Sequence, residues 1–121
     1  MSKIITYVLT FVLVIFSLPT LGANFAFLYD TPAQYFDAQD WKMLETTADY
    51  ALSKMPNGNI AKWQNPKTGN SGLLEPLNSI KKHGTTCRDL QITNYAKHRK
   101  DQYVFMFCKF STGWKIPSKQ V

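Results

Sequence analysis

The sequence predicts an α+β domain: an N-terminal helix packed on a curved antiparallel sheet of about four to five strands, stapled by one disulfide. Three observations predict it. Trp41, Leu44, Ala48, Leu52 and Met55 fall three or four apart, the spacing of one helical face. From Ile60 onward the pattern changes to period-two alternation between turn residues. Lastly, Cys87 and Cys108 come opposite each other when the two most strand-like segments are paired about the turn between Lys97 and His98.

The elements follow in order. Met1-Ser-Lys3 is a short basic start, Ile4 to Phe16 is almost wholly apolar, and Ser17 to Ala23 is a helix-breaking exit of mostly small residues. That layout predicts a signal peptide over 1–23, and the apolar run is short for a span of about 20 residues. Roughly 98 residues then remain, enough for one small domain that buries about 60–65% of its unfolded surface and benefits from a staple. Residues 24–37 form an N-terminal segment with a short helix, opened by Thr31 as cap and Pro32 at the first helical position, with Gln34 placed to close a capping box. The domain proper is expected over 38–116. Its helix runs over about 39–55, with Asp37 and Asp40 suited to its positive end, and Pro56-Asn-Gly58 ends it.

Ile60–Gln64 and Leu73–Leu77 read as two short strands. Asn65-Pro66-Lys67-Thr68-Gly69-Asn70 between them is turn chemistry: Pro66 presets its backbone and Gly69 can take positive φ. Pro76 lacks an amide donor, which points to a sheet edge or a strand end. Lys81-Lys82-His83 reads as a small basic loop. Thr85–Tyr95 alternates, with Arg88, Leu90, Ile92 and Asn94 on one face and Cys87 and Asp89 on the other. Tyr103–Phe110 is dense in aromatics, and Ala96–Asp101 is polar and turn-like. Pairing the two strands about Lys97 and His98 sets Leu90 against Phe105 and Ile92 against Tyr103, and sulfur beside sulfur. A slip of one residue spoils all three matches. Export leads to an oxidising compartment, so a disulfide is the expected reading. A thiol pair or half a metal site are the alternatives, and no nearby Cys or His completes a ligand set. The bridge would close a loop of roughly 22 residues and contribute roughly 3 kcal/mol. Ser111-Thr-Gly113 turns, Trp114-Lys-Ile116 adds a last short strand, and 117–121 is a loose tail.

Charge is distributed unevenly. The chain carries a formal +6, but residues 24–49 hold five acids against one lysine, whereas 50–121 hold twelve bases against three acids. A basic face suits an anionic surface or glycan. Lys62, Lys67, Lys81 and Lys82 are the candidate partner contacts; the bland reading of each is a solvated charge. No Arg-rich cluster or stacking-aromatic pattern argues for specific nucleic-acid readout.

Catalytic chemistry finds little footing. The two histidines, His83 and His98, fall in polar loop-like segments, so no nucleophile has an oriented base. Glu75 and Asp89 are the sheet's acids before the Asp101 turn, and nothing sets their separation. There is no P-loop or Rossmann fingerprint. No cofactor and no metal is expected.

The order helix, then Trp63-Gln-Asn65-Pro66-Lys-Thr68-Gly69-Asn70-Ser-Gly72, then Cys87-Arg88, then Cys108 and Gly113-Trp114 resembles the C-terminal domain of the 17-kilodalton-type outer-membrane surface antigen family of Gram-negative bacteria. The likeness covers about residues 38–116. It implies an exported envelope protein with no catalytic residues, in which Trp63, Asn65, Pro66, Gly69, Gly72, Arg88, Gly113 and Trp114 shape the domain. Many relatives begin with a lipid-modified Cys and carry a glycine-zipper segment, and neither is present in this sequence. The expectation is therefore a periplasmic or secreted form without a transmembrane span after signal cleavage, with outer-membrane association left open. The expected function is a binding or structural module for an unknown protein, glycan or anionic surface. An inhibitor or effector of another macromolecule, such as a cell-wall hydrolase, is the alternative, and a small enzyme comes last.

Overall fold

The computed structural model describes residues 31–117. The expected signal segment 1–23, residues 24–30 and the expected tail beyond Pro117 lie outside the described residues. The chain runs through a 3₁₀ turn (Pro32–Tyr35), helix α1 (Ala38–Lys54), then strands β1 (Ala61–Gln64), β2 (Ser71–Lys82), β3 (Thr85–Ala96), β4 (Arg99–Phe110) and β5 (Gly113–Lys115). The five strands form an antiparallel meander in sequence order, curled into a half-barrel against which the helix lies. Short connections make this topology, because antiparallel neighbours need only hairpins.

Helix α1 begins where its chemistry requires. Asp37 accepts from the Asp40 amide while Asp40 accepts from the Asp37 amide, a reciprocal capping box. Thr31 caps the preceding 3₁₀ turn through the Ala33 amide. The expected stripe is buried at Trp41, Leu44, Ala48 and Leu52, joined by Ala51, while Met55 stands just past the helix as its C-cap and is half-buried. Leu74, Leu90, Ile92 and Phe107 meet this stripe from the sheet, and all are buried.

The β3–β4 register agrees with the sequence reading. Cys87 pairs with Cys108, Leu90 with Phe105 and Ile92 with Tyr103, and the cysteines form a disulfide across a sequence separation of 21. Strand lengths differ from expectation at the start of β4 and the end of β2. The polar residues Arg99–Asp101 belong to β4, not to a loop, because the β3–β4 turn needs only Lys97 and His98, both at positive φ (53° and 61°). This is the primed two-residue turn whose twist matches the flanking strands. Lys81 and Lys82 are the last residues of β2, paired with Thr86 and Thr85, rather than part of a loop. His83 and Gly84 alone make that turn (φ 51° and 77°).

Pro76 sits inside β2 and not at its end, but β1 stops pairing at Leu74, so one side of Pro76 is a sheet edge. Its missing N–H is tolerated because the β2–β3 register shifts between Pro76 and Asn78, the bulge that lets a proline enter a strand. On the other side β1 has already ended opposite Leu74, and the Pro76 carbonyl accepts from the Gly58 amide at 2.7 Å.

Candidate functional site

The motif residues around the β1–β2 turn close on the N-terminus of α1. Asn65 and Gly69 bracket a tight loop in which the Gly69 amide donates to the Asn65 carbonyl and the Asn65 amide to the Asn70 carbonyl. Gly69 supplies the positive φ (77°) that returns the chain. The loop's side chains then converge on Asp40. Oδ1 of Asp40 accepts from Asn65 Nδ2 (2.8 Å) and Thr68 Oγ1 (2.8 Å); Oδ2 accepts from Asn70 Nδ2 (2.9 Å) and the Asp37 amide (2.9 Å). Asp40 and Asn65 are fully buried. Burial acts to raise the carboxyl's pKa, but the donors, Asn70 foremost, outweigh it and hold the pKa below its ordinary value of 3.8. The carboxylate is thus solvated by protein groups in place of water.

Trp63 and Gly72 form a second unit. They are directly opposed on β1 and β2, and the indole lies over the glycine. A Cβ at residue 72 would collide with Trp63 Nε1 and stand 3.0 Å from the Thr93 carbonyl oxygen. The indole in turn takes the edge of Phe36, at 5.1 Å between centroids and 86° between planes. Packing wins over polar satisfaction here: among the described residues, buried Trp63 Nε1 and both polar atoms of the Asn94 side chain find no hydrogen-bond partner.

Arg88 holds the opposite end of the helix. Each of its five N–H groups has an acceptor. Nε donates to Ser79 Oγ, Nη1 to the carbonyls of Ala51 and Leu52, and Nη2 to the Met55 carbonyl and Asn57 Oδ1, at 2.7 to 3.1 Å. The Leu52 and Met55 carbonyls lie at the helix C-terminus, where intrahelical donors run out, the Ala51 carbonyl is shared with the Met55 amide, and the positive guanidinium complements the helix dipole. Burial lowers the guanidinium's pKa. Trp114 adds a tie from β5, donating to Ser53 Oγ at 2.9 Å, with Gly113 turning into the strand at φ 120°. The disulfide and Asp89 sit on the face away from the helix, as alternation requires.

The four candidate contact lysines do not form one patch. Lys67 is on the motif loop and Lys62 on β1, whereas Lys81 and Lys82 lie at the far end of β2, about 35 Å away along a twelve-residue strand. Cations do gather at the motif-loop end, where the β3–β4 turn brings Lys97, Arg99 and Lys100, together with His98, to one side of a cleft of about 750 Å³. Sequence reading left these four in an anonymous turn. Their strict hairpin register was the available signal. His83 and His98 occupy exposed turns at opposite ends of the sheet, so neither stands beside Glu75 or Asp89. Among the described residues no three His, Cys, Asp or Glu side chains form a metal-holding group, and no helix is long and apolar enough to cross a membrane.

Comparison with known proteins adds the lineage. No solved structure matches the chain significantly. The chain is 30% identical over 82 residues to the 17 kDa surface antigen of Rickettsia bellii and 37% identical over 82 residues to that of Rickettsia prowazekii. In each case the match covers 66% of this chain and 52% of the relative, so the chain spans about half the length of these curated relatives. The family model for the 17 kDa outer membrane surface antigen matches residues 50–114, which hold the Trp63–Gly72 motif, Arg88, both cysteines and Trp114. By that match, and by the helix-and-hairpin architecture those residues build, this chain belongs to the 17 kDa outer membrane surface antigen family.

Proposed function

We propose that this protein is a non-catalytic binding module of the cell envelope, using a rigid basic sheet to hold an anionic partner. Membership of the surface-antigen family implies an exported, surface-associated protein. The observation that supports the binding reading is how the charged groups divide. Among the described residues the two buried charges, Asp40 and Arg88, have their hydrogen-bonding capacity taken up by architecture. Neither is free to bind or transform a substrate. Lys62, Lys67 and Lys81, towards the sheet's two ends, are exposed, and anionic glycan or lipid is what such a surface attracts.

The purified mature chain is expected to retain anionic envelope glycans or anionic lipids on arrays at physiological ionic strength, with retention falling as salt rises. Retention of nothing at that ionic strength, or salt-independent turnover of a cell-wall polymer, would overturn the reading. Fractionation into periplasm, outer membrane and medium locates the partner's compartment.

A further inference from the structure

We propose that the cleft between the motif loop and the β3–β4 turn is a binding site for a sugar phosphomonoester; the proposal deepens the binding-module reading and rests on it. The cleft is about 750 Å³, walled by Tyr35 and Gly69 on one side and by Tyr95, Lys97, Arg99 and Lys100 on the other. That volume lies in the range of small-molecule sites and exceeds what a bare phosphate fills.

Three features select the ligand. First, three permanent cations come from four consecutive residues at the mouth, and all three are exposed. Second, the cations are positioned rather than loose. Lys97 Nζ lies 5.9 Å from the centroid of the Tyr35 ring and Lys100 Nζ lies 5.8 Å from that of Tyr95. Each ammonium lies over an aromatic face within cation–π range. Arg99 adds a planar fork that matches phosphate oxygens two at a time. A phosphomonoester near its second ionisation carries most of two negative charges, the best match for this set. Third, the polar groups of the loop wall are already engaged. The Gly69 amide donates to Asn65, Thr68 to Asp40, and Asn70 Nδ2 to Asp40 and the Tyr35 carbonyl. The rest of the ligand therefore meets the part of the Tyr35 ring that Lys97 leaves open, the residue being 44% exposed, and a pyranose ring offers the C–H face that packs there.

The acids nearby do not cancel the cations. Asp101 is hydrogen-bonded to the Tyr103 hydroxyl, and Asp40 lies beneath the loop with its charge met by four donors. A sugar phosphate could arrive free or as the headgroup of a glycolipid; the phosphomonoester chemistry is common to both.

The test is titration of the purified mature chain with glucosamine 1-phosphate, followed by amide chemical shifts. Saturable one-to-one binding is expected, with shifts concentrated at residues 35, 69 and 95–100. The triple variant Lys97→Ala, Arg99→Ala, Lys100→Ala is expected to bind at least tenfold more weakly with an unchanged melting temperature. Lys97→Arg with Lys100→Arg keeps affinity within about threefold and guards against a folding artefact. Lys42→Ala, on the exposed face of α1, leaves binding unchanged. Vesicles carrying phosphatidic acid, a phosphomonoester, are expected to bind more strongly than vesicles of equal mole fraction phosphatidylglycerol, and only if the site also takes membrane-borne headgroups. Equal binding of inorganic phosphate and glucosamine 1-phosphate overturns the sugar assignment. Binding that survives the triple variant overturns the site. If the wild type ignores the sugar phosphate but keeps anionic glycans or lipids through Lys81 and Lys82, this inference fails while the binding-module reading stands; if it ignores all of them, both fail.

Discussion

Asp40 is buried without a cation, and its charge is carried by neutral donors from a loop 25 to 30 residues further along the chain. A carboxylate in this position is worth keeping only while every lone pair is met. Asp40→Asn keeps the shape but sets an amide N–H₂ against donors, and is expected to destabilise by about 3–5 kcal/mol in chemical denaturation. The pH dependence follows from the sign of the shift. Asp40's folded pKa lies below its ordinary 3.8, so the unfolded chain binds the proton more tightly. Its stabilisation is therefore complete above the unfolded pKa and is lost as pH falls through the folded value. Stability measured from pH 6 down to pH 2 should drop more steeply in the wild type than in Asp40→Asn. Equal slopes would mean that the carboxylate is not the titrating group. Gly72 makes a separate demand at this scale. Gly72→Ala should cost about 2–3 kcal/mol because the indole of Trp63 must leave. In a Trp63→Leu background the same change should cost less than half as much, a double-mutant cycle that isolates the contact.

At the scale of elements, the helix is positioned by its two ends. Its N-terminus is locked to the β1–β2 loop through Asp40, and its C-terminus to β3 through Arg88, while the stripe between them packs on the sheet. An acid sits at the positive pole and a guanidinium at the negative one, the arrangement the helix dipole favours. The hairpins impose their own costs. His83 holds φ 51° without being glycine, as the first residue of a primed turn whose second is Gly84. Asn is the residue this position prefers. His83→Asn should raise stability by about 0.5–1 kcal/mol, read as a higher denaturation midpoint at unchanged slope. A loss of stability would mean that the histidine makes a contact beyond its turn role. Pro76 shows the opposite compromise. The bulge beside it accommodates the missing amide and lets β2 continue to Lys82, so a residue that normally ends strands sits in a twelve-residue one.

The whole molecule is a small core closed by one covalent tie. The sheet pairs locally, strand to next strand, whereas the helix is joined to it by packing, the two polar brackets and the Trp114–Ser53 hydrogen bond. The disulfide ties the two strands that carry Leu90, Ile92 and Phe107, so it holds the part of the sheet that contributes most to the core. Replacing Cys87 and Cys108 with serine should cost about 3 kcal/mol, measured as a matched loss of denaturation free energy in oxidised wild type versus variant. Reduced wild type should behave like the variant. Failure of reduction to change the midpoint would remove the staple from the account of stability.

Patterns of short range were legible before any coordinates. The 3.6-residue stripe named the helix face, the period-two runs named β3 and β4, and their register placed the two sulfurs together, because side-chain direction is set by backbone geometry alone. Turn residues likewise marked where the chain reverses. What the sequence could not say is what those turn residues do once reversed. Asn65, Thr68 and Asn70 read as local turn formers, and Arg88 as one cation among many, because their partners lie more than 20 residues away and no periodicity reports a hydrogen bond across the fold. Only packing the helix onto the sheet brings Asp40 under the loop and the helix C-terminus over Arg88. The same holds for the cleft cations. Lys97, Arg99 and Lys100 are a polar turn in one dimension and line one cleft with Tyr35 only in three, since a binding surface is made of residues that share a place and need not share a stretch of chain.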